Sequence, residues 1–183
     1  MDLSTEARSA NMGLSTEARS AKVDAANARW VVDVAGTVAR EAWDFNDSIE
    51  WVSGVVGGID RRVWRALAIR SEVMMLRVAQ QGDNGWLRGV TVGTRARWGD
   101  DDGLRPLIDV AGGVSDSTTA VPPGGTRFNY LAVIGAGVEK PWGRWLMSVT
   151  GRWLHASNAG REGRARNPDI QSLGVVFGVG WEY

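Results

Sequence analysis

From Trp30 to Tyr183 the chain alternates apolar and polar residues in short segments separated by Gly, Asp, Asn and Pro, which is the period of strands. Eight windows carry the pattern: residues 29–39, 48–57, 63–78, 86–98, 104–114, 127–139, 144–157 and 169–183. The first places Trp30, Val32, Val34 and Val38 on one face, and the second Ile49, Trp51 and Val55. In the third, Val63, Leu67, Ile69, Val73 and Met75 share a face that Arg65 and Arg77 interrupt. The last is the cleanest, with Leu173, Val175, Phe177, Val179, Trp181 and Tyr183 alternating with Ser172, Gly174, Val176, Gly178, Gly180 and Glu182. Between the fifth and sixth windows, Asp116 to Gly125 contains Pro122, Pro123 and two glycines and is expected to be a turn-rich loop.

Period two fits a soluble barrel whose apolar face points inward, and equally a membrane barrel whose apolar face points outward. The second face separates the two. A soluble barrel would display long solvated side chains there, whereas this chain has Gly, Ser and Thr with a few Arg, Asp and Glu. Small residues of that kind fit the narrow interior of an eight-stranded barrel and leave room for a few paired charges. Tryptophans at strand ends then form the interfacial girdles of such a barrel. The expected fold is all-β: an eight-stranded antiparallel transmembrane β-barrel of the outer-membrane type over residues 28–183, preceded by a polar tail. The competing reading is a soluble sandwich or barrel that binds a small apolar ligand around a tryptophan core.

The tail, residues 1–27, is a near-perfect tandem copy, Met1 to Asn11 followed by Met12 to Lys22, with no apolar stripe, and is expected to be disordered. It shows no apolar core of a secretory signal, which needs about seven to fifteen residues. No run of about eighteen apolar residues, as a transmembrane helix requires, occurs in the sequence.

Composition narrows the chemistry. Twenty-one basic residues balance twenty-one acidic ones among 183, so no net field recruits a polyanion, and nucleic acid is not an expected partner. Nineteen of the basic residues are Arg, whose planar fork suits fixed ion networks and phosphate groups. The chain has no cysteine and a single histidine, His155, which excludes disulfides, thiolate nucleophiles and multi-histidine metal centres. Arg95, Arg97, Arg105, Asp109, Glu139 and Arg152 fall on the polar face and are read as a barrel-filling ion network.

The seventh window carries the chemistry. By strand parity His155 and Ser157 project from the same face as Trp145, Met147, Val149 and Trp153, the apolar one. Residues two apart on one face stand roughly 7 Å apart, a separation that leaning rotamers close to a hydrogen bond. A base beside a hydroxyl is the minimum for an activated serine nucleophile. Asn158 follows directly. After a basic loop with Arg161, Arg164 and Arg166, the chain reads Asn167-Pro168-Asp169-Ile170-Gln171. Amide side chains are suitable oxyanion donors. Asp169 and Gln171 share the outward parity of Phe177 and Tyr183, so a carboxylate that could orient His155 is at hand.

These residues, His155-Ala156-Ser157-Asn158-Ala159-Gly160 followed by Asn167-Pro168 and an aromatic-ended final strand, resemble the motif of the PagL-type lipid A 3-O-deacylases, eight-stranded outer-membrane barrels of Gram-negative bacteria. The resemblance is strongest from about Arg105 to Tyr183 and looser over residues 30–183. It implies hydrolysis of the ester at position 3 of lipid A, with release of a hydroxy fatty acid and without metal or cofactor. It implies location in the outer membrane, with lipopolysaccharide and outer-membrane lipids as partners. His155 is then the general base and Ser157 the nucleophile. Asn158 and Asn167 shape the oxyanion site, and Arg161, Arg164 and Arg166 meet lipid A phosphates. The family's acid stands four residues after the motif asparagine, and there this chain has Gln171, which supplies no charge. Asp169 is the expected replacement. Two other outcomes follow from that departure and from the fold: a catalytically impaired or non-enzymatic outer-membrane barrel, and the soluble ligand-binding barrel.

Overall fold

The computed structural model describes residues 29–43, 49–100, 103–163 and 167–183, so the duplicated tail lies outside the described residues, as do Arg164 and Arg166. The described chain is eight strands: β1 (Trp30–Glu41), β2 (Trp51–Trp64), β3 (Leu67–Ala79), β4 (Gly85–Arg97), β5 (Arg105–Val121), β6 (Thr126–Trp142), β7 (Trp145–Ser157) and β8 (Ile170–Glu182). Each pairs antiparallel with the next, and β8 pairs with β1, closing the barrel and leaving no free edge. This is the fold class that the alternation predicts.

Two boundaries differ from the sequence expectation. Residues 63–78 do not form one strand. Trp64 ends β2, Arg65 and Ala66 make the turn, and β3 begins at Leu67, so Arg65 does not interrupt a strand face. Arg65 adopts φ 28°, a conformation that such tight turns normally give to glycine, which is why no turn residue marks the site. Likewise Asp116 to Val121 is strand rather than loop, leaving 122–125 as the β5–β6 connection. The Ser and Thr residues there read as turn-formers but pair along β5, with Ser117 Oγ bonded to the Thr119 and Arg127 carbonyls at 2.8 and 2.9 Å.

The outer wall is apolar. Val34, Val55, Val73, Val92, Ile108, Ile134, Met147 and Phe177 are all exposed, one or more on each strand. Burying such side chains is worth about 1.5–3 kcal/mol each, so a wall of them facing water would be untenable, while a wall facing hydrocarbon is at rest. Tryptophans collect at the rims, unevenly. Trp30, Trp64, Trp98, Trp142, Trp145 and Trp181 sit at the rim that carries the β2–β3, β4–β5 and β6–β7 connections. Trp43, Trp51 and Trp86 sit at the opposite rim, where residues 42–50 and 158–169 make the longest connections. The two are called the turn rim and the loop rim below.

The interior divides in the same direction. In the half nearer the turn rim, five arginines and five carboxylates fill the lumen. Arg70 bonds Asp33 and Asp60 at 2.6 Å and Glu72 at 2.8 Å. Arg97 reaches Asp60 and Glu139, Arg105 reaches Glu139 at 2.6 Å, and Arg152 joins Glu72 at 2.9 Å to Asp109 at 3.3 Å. Arg95 completes the set at 3.4 Å from Asp109. Glycines make the room: a Cβ at Gly135 would stand 2.6 Å from the Asp109 carboxylate. The expected ion network is therefore present. The half nearer the loop rim departs from the small-residue interior that the sequence suggested. There Val52, Val56, Met74, Leu76, Leu87, Leu131, Val133, Leu154 and Ile170 form one buried aliphatic cluster.

Candidate active site

The longest connection within the loop rim joins β7 to β8, and the candidate residues stand where those two strands enter it. On β7, Leu154 and Ala156 point into the aliphatic cluster, so Trp153, His155 and Ser157 point away from it. On β8, Gln171 lies in register with His155, and Ile170 points inward as its counterpart to Ala156. The sheet thus fixes His155 between a serine two residues along its own strand and a carboxamide on the next.

The His155 Nε2 and Ser157 Oγ atoms are 3.0 Å apart. The Nδ1 atom on the other side of the ring lies 3.5 Å from Asp169 Oδ2. That is ion-pair reach and slightly longer than a short hydrogen bond, a looseness common in unliganded catalytic sites. A carboxylate facing Nδ1 favours the tautomer with its proton there, which leaves the Nε2 lone pair to accept from the Ser157 hydroxyl. Gln171 does not take the place of the acid at the ring. Its Nε2 donates instead to Asp169 Oδ2 at 2.9 Å, the same oxygen that faces His155. The Trp153 ring stacks on the imidazole at 5.7 Å between centroids, 16° from parallel, and restricts its rotation. Ser157 is buried, whereas the His155 and Asp169 side chains are partly exposed.

The connection is folded by its amides. The Asn158 backbone N–H donates to Asn167 Oδ1 at 3.0 Å, tying its start to its end, and Gly160 N–H donates to Asn158 Oδ1 at 2.9 Å. The chain passes through the left-handed region at Ala159 (φ 55°) and Gly160 (φ 72°), a bend that returns Arg161 toward the barrel wall. The side-chain oxygens of both asparagines are therefore used in building the loop. Arg161 Nη1 donates to the Tyr130 hydroxyl at 2.8 Å. Tyr130 was not among the residues singled out from sequence. It lies on β6 in register with Ser157, a neighbour set by strand pairing that residue spacing cannot reveal.

No family profile and no curated protein matches the sequence. Solved structures do resemble the fold. The outer-membrane enzyme PagL has a TM-score of 0.64 at 19% identity, over 80% of this chain and 97% of that one. Neisserial surface protein A gives 0.60 at 9% identity over 84% and 97%, and the outer membrane protein OprG from Pseudomonas aeruginosa 0.56 at 9% over 85% and 96%. At such identities the likeness establishes the fold, an eight-stranded outer-membrane-type barrel, which these proteins share.

Proposed function

We propose that the protein is an outer-membrane esterase that removes the 3-O-linked hydroxyacyl chain of lipid A by a serine–histidine mechanism. The observation that carries this reading is the 3.0 Å contact between His155 Nε2 and Ser157 Oγ, backed on the far side of the ring by Asp169, on the outer wall of the barrel. An acyl chain already lies in the leaflet alongside that wall, so a dyad opening sideways need not draw lipid into water. Longer connections face outward in barrels of this type, which puts the loop rim in the leaflet that carries lipid A.

In this mechanism Ser157 Oγ attacks the ester carbonyl while its proton passes to His155 Nε2. The Asp169 carboxylate stabilises the resulting imidazolium through Nδ1–H. Amide N–H donors of Asn158 and Asn167 meet the oxyanion. On collapse the C–O bond to the sugar breaks, and His155 returns its proton to the departing sugar hydroxyl. Water, deprotonated by His155, then cleaves the acyl-serine and frees the hydroxy fatty acid. No metal or cofactor takes part. Arg161, together with Arg164 and Arg166, serves the phosphates of the substrate. Gln171 is a positioning residue that holds Asp169 to the ring.

Mass spectrometry of lipid A from cells expressing the chain tests this directly. The expected result is loss of one hydroxyacyl group, absent with Ser157→Ala. Intact lipid A after verified insertion would favour a barrel that keeps the scaffold without the chemistry, a reading to which the amide at position 171 lends some support.

A further inference from the structure

We infer that Tyr130 and Arg161 form a headgroup clamp which makes the site select esters borne next to a phosphate, with Tyr130 as a specificity-determining residue. This rests on the esterase reading and names what that site recognises. Tyr130 is the cross-strand partner of Ser157, and such partners hold their Cβ atoms about 4.5–5.5 Å apart. Its ring therefore walls the nucleophile on the β6 side. Phe128 packs edge-on against that ring at 5.5 Å between centroids and limits its swing.

The phenol oxygen accepts from Arg161 Nη1 at 2.8 Å, and the Arg161 backbone N–H is itself anchored to the Asn158 carbonyl at 3.2 Å. The main chain of Arg161 is thus anchored in the loop and its guanidinium held on Tyr130, the cross-strand neighbour of Ser157. Its partner differs in kind from those of the lumen arginines. Arg70, Arg97, Arg105 and Arg152 each face carboxylates, whereas a phenol positions Arg161 without neutralising it. One N–H is engaged, and the planar fork keeps further donors for a phosphate, the geometry it matches in bidentate fashion. Among the described residues of this connection, the other charged groups are Glu162, adjacent in the loop, and Asp169, which faces His155 and Gln171.

The test separates binding from turnover. Ser157→Ala protein in detergent micelles is titrated with bis-phosphorylated lipid A and with the same lipid after enzymatic dephosphorylation. Adding Tyr130→Phe should weaken binding of the phosphorylated lipid about 5-fold and adding Arg161→Gln about 10-fold, the range of a charge-assisted hydrogen bond at an accessible site. Neither should change binding of the dephosphorylated lipid. Equal losses on both lipids, or no loss on either, would overturn the clamp. Inorganic phosphate is the second probe. Displacement of the lipid by millimolar phosphate would assign Arg161 to free anions and also overturn it. With Ser157 restored, Tyr130→Phe should raise KM for the phosphorylated lipid by a larger factor than for a neutral p-nitrophenyl ester. If the Ser157 enzyme hydrolyses neither ester, it is the esterase reading that fails, and the micelle titration still decides the clamp.

Discussion

The two halves of this barrel invert one another. Toward the turn rim the charges are inside, where arginines and carboxylates neutralise each other, and the outer wall is aliphatic and ringed by tryptophan. Toward the loop rim an aliphatic cluster occupies the lumen beside buried polar groups such as Glu50 and Asn129, and the hydrogen bonds of His155, Ser157, Tyr130 and Arg161 lie on the outer wall. The same alternating backbone serves both. In the first half the arginines and carboxylates orient one another inside the lumen. In the second, Leu154, Ala156 and Ile170 give the polar residues beside them no inward partner, so the bonds of His155, Ser157 and Asp169 run along the surface, where a lipid can reach them.

Substitutions in the two halves should therefore fail in different ways. The largest effect expected is on chemistry: Ser157→Ala should lower esterase turnover about 10⁴-fold, with the urea unfolding midpoint in micelles unchanged. Arg70→Ala should do the reverse. It strands Asp33, takes one arginine partner from Asp60 and from Glu72, and should cost about 3–5 kcal/mol, read as a lower unfolding midpoint, while the folded fraction keeps its specific activity. A loss of activity in folded Arg70→Ala would show that the halves are not independent. Asp169→Asn should reduce kcat about 10²-fold by removing the charge that faces the imidazolium. Gln171→Leu should be milder, about 3- to 10-fold, the worth of one hydrogen bond to a carboxylate still able to reach the ring. Were Gln171→Leu the more damaging of the two, the assignment of the acid to Asp169 would be reversed.

How much of this could be read from the chain varies with distance along it. Strand number and facing were legible because alternation is local. The β2–β3 turn was not, since Arg65-Ala66 carries none of the usual turn residues and its neighbours continue the pattern on both sides. The β5 extension was hidden by Ser and Thr, which suit turns and strands alike. In the site, His155 and Ser157 were fixed by parity on one strand, and Asp169 by proximity to the start of the next. Which of Asp169 and Gln171 faces the ring depends on rotamers, and Tyr130 depends on the β6–β7 register. Neither is encoded in spacing. The aliphatic half of the lumen escaped notice for a related reason: where both faces are apolar, alternation carries no contrast.

The uneven tryptophans set a depth. Six indoles fasten one rim to its bilayer surface, and β7 runs from Trp145 in that rim to Ser157 near the other. At about 3.3 Å per residue and a tilt near 40°, that strand climbs about 30 Å, slightly more than the hydrocarbon band such barrels span. The strand is a ruler whose zero is the indole ring, and the hydroxyl is its last mark, at the far face of the apolar band.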